Sequence, residues 1–72
     1  MDEPKMEYVD SSNIEAIGYD AEARDLWIRF TSGRTYVYSD VPPATYDDII
    51  RADSKGSYLN REIKPNYAFR PI

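Results

Sequence analysis

Apolar and polar residues alternate most sharply over Leu26-Trp-Ile-Arg-Phe30, where Leu26, Ile28 and Phe30 share one side and Trp27 and Arg29 the other. That period of two is the signature of a strand. Upstream, residues 13–19 offer Ile14, Ala16, Ile17 and Tyr19 in a short β-compatible run before the acidic loop Asp20–Asp25. Downstream, Thr31-Ser-Gly-Arg34 is turn chemistry and residues 35–39 are rich in strand formers, so residues 26–39 are expected to form a hairpin. Its register decides which face the tyrosines occupy. If Ser32-Gly33 is a two-residue turn, Phe30 pairs with Thr35 and Ile28 with Val37, setting Tyr36 and Tyr38 beside Trp27 and Arg29. A three-residue loop reverses the faces. The two-residue turn is favoured because it gives Gly33 a central position that needs positive φ.

Pro42-Pro43 stops the strand and suits a first helical turn. Over residues 44–53, Tyr46, Ile49 and Ile50 fall at i, i+3 and i+4, with Asp47, Asp48 and Arg51 facing outward. Ser54 reads as the N-cap of a second helix whose apolar stripe is Tyr58, Leu59 and Ile63 and whose end is forced by Pro65. Residues 1–7 are polar, carry a proline and show no periodicity, so they are expected to be a mobile terminus before one domain over residues 8–72. Tyr67 and Phe69 give the tail enough apolar surface to dock. The expected fold is α+β: a three-stranded antiparallel β-meander followed by two short helices, around Ile14, Leu26, Ile28, Phe30, Val37, Tyr46, Ile49, Ile50, Leu59 and Ile63.

Length restricts this to one small core, because 72 residues bury only about 60% of the surface the unfolded chain exposes. Seven tyrosines, two phenylalanines and one tryptophan meet that need, each burying roughly 150 to 250 Å². Neither cysteine nor histidine occurs, which removes disulfides, thiolate zinc sites, cysteine nucleophiles and imidazole bases together. No enzyme activity and no cofactor are expected. The acidic loop with Asp20, Glu22 and Asp25 lacks the glycine and bidentate glutamate of a calcium loop, so no metal is expected either. With no long apolar run, the chain is expected to be cytoplasmic, to avoid membranes and to be a monomer.

The net charge of −4 is unevenly spread. Residues 1–25 hold eight acids against Lys5 and Arg24, a sum of −6, while residues 51–72 hold five cations against Asp53 and Glu62, a sum of +3. Such asymmetry raises the question of a nucleic-acid partner.

The string Ser11-Ser12, Ile14, Ile17, Gly18-Tyr19-Asp20, Leu26-x-Ile28-x-Phe30, Gly33, Tyr36-x-Tyr38, Val41-Pro42 resembles the KTSC domain family. The second half agrees through Tyr46, Ala52, Ser54, Gly56, Tyr58, Asn60, Ile63 and Tyr67. The most specific parts are Tyr-x-Tyr and Ala-x-Ser-x-Gly-x-Tyr-x-Asn. The resemblance implies a domain found at the C-terminus of some lysyl-tRNA synthetases and as small free-standing bacterial proteins, with RNA binding suggested and no catalytic residues.

Two sets of side chains carry the candidate chemistry. Tyr36 and Tyr38, with Trp27 and Arg29 in the favoured register, would form a platform on which unpaired bases stack. The plainer account is that these rings are core. Lys55, Arg61 and Lys64, with Arg51 nearby, would supply phosphate contacts, or else form a solvated helix face on which Asp47 partly neutralises Arg51. The two functions that follow are a module binding single-stranded RNA or tRNA and a protein-interaction module without nucleic acid.

Overall fold

The alternating segment from Asp25 to Phe30 is the middle strand of a five-stranded antiparallel sheet in this computed structural model, which describes residues 3–72. The strands follow one another in space as in sequence: β1 Met6–Tyr8, β2 Ile14–Asp20, β3 Asp25–Phe30, β4 Thr35–Tyr38 and β5 Phe69–Pro71. Between β4 and β5 come helix α1, Pro43–Arg51, and helix α2, Lys55–Tyr58, which runs on into a π-helical turn, Leu59–Ile63. The expected meander is therefore the centre of a wider sheet, with two further strands contributed by the chain's ends. Residues 3–7, expected to be mobile, lead into and largely form β1, while residues 1 and 2 lie outside the described part.

The hairpin register is the other correction. Trp27 pairs with Val37, Ile28 with Tyr36 and Leu26 with Tyr38. The loop is thus three residues, Thr31–Gly33. Gly33 donates its N–H to the Phe30 carbonyl (2.9 Å), and Phe30 donates to the Arg34 carbonyl (2.8 Å). Gly33 has φ +97°, so it is the left-handed residue that closes a type I turn in a three-residue hairpin. Glycine is needed where expected, but one loop position later, and the strand faces reverse.

On the helix side of the sheet, Ile14, Ile17, Leu26, Ile28 and Tyr38 pack with Val41, Ile49, Leu59 and Ile63 into one fully buried cluster. Ile14 and Ile17 are three residues apart, a spacing that regular pleating would send to opposite faces. A register shift between Ile14 and Ala16 inserts Glu15 as an extra residue and returns both to the core side. Tyr19 stacks on Tyr46 of α1 (ring centroids 5.1 Å apart, planes 13° apart) and donates its hydroxyl to the Val41 carbonyl. Pro43 opens α1, and the Ser54 side chain caps α2 by accepting the Ser57 N–H at 3.3 Å.

The opposite face carries no helix, yet Trp27 there is only 4% exposed. The N-terminal segment packs on this face beside it. Gly18, paired with Trp27, lies so close beneath it that a Cβ would stand 2.5 Å from Met6 Sδ and 3.0 Å from the Lys5 carbonyl. Glu3 reaches the Arg29 guanidinium with both carboxylate oxygens. No helix among the described residues is long and apolar enough to cross a membrane.

Candidate functional site

The reversed hairpin register disassembles the expected platform. Trp27 and Arg29 lie on the face under residues 3–6, whereas Tyr36 and Tyr38 lie on the helix side. Tyr38 is 1% exposed and belongs to the core. Burial, and then the neighbouring Tyr36, raise its pKa above the ordinary tyrosine value. Arg29 is held by Glu3, and the buried Trp27 indole N–H has no hydrogen-bond partner among the described residues. Of the four, only Tyr36 keeps a partly exposed ring on a usable face.

The basic set is dispersed as well. Lys55 Nζ turns back to the Ala52 carbonyl (3.0 Å). Arg61 bonds Glu62 through Nε (3.0 Å), and its guanidinium lies 5.9 Å from the centre of the Tyr58 ring. Arg51 and Asp47 form no ion pair among the described residues, and Arg51 instead lines a mixed-charge cleft with Asp48, Asp53 and Arg61. Lys64 is the member of the set that meets an aromatic ring of the sheet.

That meeting place is a groove of about 310 Å³ beside the β3–β4 hairpin. Phe30 and Tyr36 form its apolar part, with ring centroids 5.5 Å apart and planes 71° apart, an edge-to-face pair. Phe69 of β5 lies with its ring centroid 5.0 Å from that of Tyr36. Lys64, just beyond the π-helical turn, and Arg34, at the end of the hairpin loop, add two cations, while Thr31 and Ser32 add hydroxyls and Asn13 an amide. Neither cation is in an ion pair among the described residues, and no carboxylate lines the groove.

Tyr36 and Lys64 belong to the expected candidate sets, whereas Phe30 and Arg34 do not. Phe30 looks like core by its alternation, and it is indeed packed against the core, although incompletely buried. Arg34 follows a turn glycine and carries no periodic signal. The three-residue loop is what brings both to the same rim as Tyr36.

Residues 10–67 match the sequence profile of the KTSC domain. A protein of Tsukamurella paurometabola is 47% identical over 62 residues, covering 86% of this chain and 92% of its own length. A lysine–tRNA ligase of Nostoc punctiforme is 35% identical over 63 residues, which cover 88% of this chain but 11% of the ligase. The crystal structure of a KTSC domain protein from Yersinia pestis superposes with a TM-score of 0.89 at 38% identity, covering 94% of this chain and 96% of that one.

Proposed function

The chain belongs to the KTSC domain family, and from that premise we propose that it is a small binding module for single-stranded RNA, seated in the hairpin groove. The observation that carries this reading is the placement in one groove of two partly exposed rings, Phe30 and Tyr36, with two cations that pair with no carboxylate among the described residues, Arg34 and Lys64. A base needs an aromatic or guanidinium surface to stack on, and its phosphates need cations within one nucleotide's reach. Net charge alone argues otherwise, at −4. Local charge decides, because ionic attraction between exposed groups is screened beyond about 8 to 10 Å at ordinary salt. The related region in a lysine–tRNA ligase, an enzyme named for a tRNA substrate, supports the same ligand class.

Stacking of one base contributes about 1 to 3 kcal/mol, and each phosphate neutralised on a single strand contributes about 0.7 to the salt slope. Two cations therefore make a weak, salt-sensitive site. Titration of labelled single-stranded RNA at low salt should show binding whose salt slope falls by about one to two when Arg34→Glu and Lys64→Glu are combined. Both side chains are exposed, so folding is retained. No binding at about 100 μM protein, the weak end of the usual non-specific range, would overturn the proposal and leave the protein-interaction reading.

A further inference from the structure

Another cleft, of about 440 Å³, lies between residues 10–13 and the start of α2, and its lining is entirely polar apart from Gly56. It is not a second phosphate site. Asp10 and Asp53 give it two carboxylates, against the single Lys55, whose Nζ is already bonded to the Ala52 carbonyl at 3.0 Å. The lining offers phosphate no unengaged cation and presents acceptors, which suits a ligand group that donates hydroxyl hydrogens. It lacks any ring on which a base would stack.

Asn13 lines both this cleft and the aromatic groove. Its position is set three ways: its carbonyl accepts the Thr31 N–H (3.0 Å), its Oδ1 accepts the Ser11 hydroxyl (3.2 Å), and Gly56 sits so near that a Cβ there would be 2.6 Å from Oδ1. The two clefts therefore meet at a fixed amide. A strand stacked in the groove and continuing past this amide would bring its neighbouring sugar to the polar cleft.

We infer that the cleft of Asp10, Ser12, Asn13, Asp53 and Asn60 is a ribose site that reads the 2′-hydroxyl and so selects RNA over DNA. The 2′-hydroxyl is both donor and acceptor, and it is the group by which a protein tells the two apart. This inference rests on the groove binding a single strand.

Three labelled oligonucleotides of one uracil-containing sequence test it: RNA, the 2′-deoxy form and the 2′-O-methyl form. One to two hydrogen bonds to the hydroxyl make RNA bind about three- to tenfold tighter than either analogue. Ser12→Ala combined with Asn60→Ala, both exposed positions, should bring the RNA-to-DNA ratio close to one, with circular dichroism confirming the fold. Equal binding of RNA and DNA by the wild type overturns the ribose site and leaves the groove standing. So does an RNA preference that survives in the variant, or a 2′-O-methyl strand that binds like RNA. Binding of no oligonucleotide at all overturns the groove reading and, with it, this one.

Discussion

Tyr38 is a core ring only 1% exposed, and burial raises its pKa above the ordinary tyrosine value. Burial also raises the pKa values of Tyr19, Tyr46 and Tyr58; Arg24 partly offsets this at Tyr19, while carboxylates add to it, Asp20, Asp25 and Asp40 at Tyr19, Glu7 and Asp47 at Tyr46, Asp48 and Glu62 at Tyr58. A group whose folded pKa lies above its unfolded value stabilises fully below the unfolded pKa and loses that contribution as pH rises through the folded one. For these tyrosines the loss begins near the ordinary value of 10.0. Urea midpoints should accordingly stay level to about pH 9 and then fall steeply. Tyr38→Phe keeps the ring and removes the ionisable group, so its alkaline fall should be shallower than that of the wild type. An unchanged alkaline limb in that variant would show that the hydroxyl is not held neutral by the core.

At the scale of elements, β1 shows how tertiary contacts override a weak local signal. Met6-Glu-Tyr8 has no hydrophobic periodicity long enough to announce a strand. What fixes it is elsewhere: Gly18 leaves a notch for Met6 and the Lys5 carbonyl, Arg29 captures Glu3, and β2 offers an edge to pair with. The hairpin register was hidden for a related reason, since Thr31-Ser-Gly-Arg34 is compatible with two loop lengths that place every following side chain on opposite faces. Helices were easier to read because Pro43 and the Ser54 cap mark their starts chemically. The chain's one tryptophan lies beneath the N-terminal segment, which makes β1 docking directly measurable. Deleting residues 1–6 should shift Trp27 emission to the red and cost about 1 to 2 kcal/mol, from a surface ion pair and lost apolar cover, while far-ultraviolet dichroism is nearly unchanged. An emission maximum identical to that of the full chain would mean that the segment does not cover the ring.

Over the whole molecule, the first and last strands form the two edges of the sheet. The central meander, both helices and most of the core were legible in the residues between 13 and 65, where period and capping agree. The site was only half legible, because Phe30, Tyr36, Arg34 and Lys64 come together through a loop length and a π-helical turn that leave little trace in sequence. The C-terminal edge bears more of the structure than its three-residue strand implies. Ser39 donates its N–H to the Ala68 carbonyl (2.8 Å) and Ile72 donates to the Thr35 carbonyl (2.9 Å). Tyr67 packs on the core, Phe69 lies 5.5 Å from Tyr38 while remaining 54% exposed itself, and Arg70 pairs with the buried Asp25 at 3.1 Å. Truncation before Tyr67 removes all of these together and leaves Asp25 without its cation, a costly state for a carboxylate held away from water. A domain of this length has only about 4 to 10 kcal/mol of total stability. The truncated chain should therefore lose its cooperative urea transition at 25 °C, whereas deletion of residues 1–6 leaves one. If the truncated chain instead unfolds cooperatively with a midpoint within about 0.5 M urea of the full chain, β5 contributes too little to count as part of the fold.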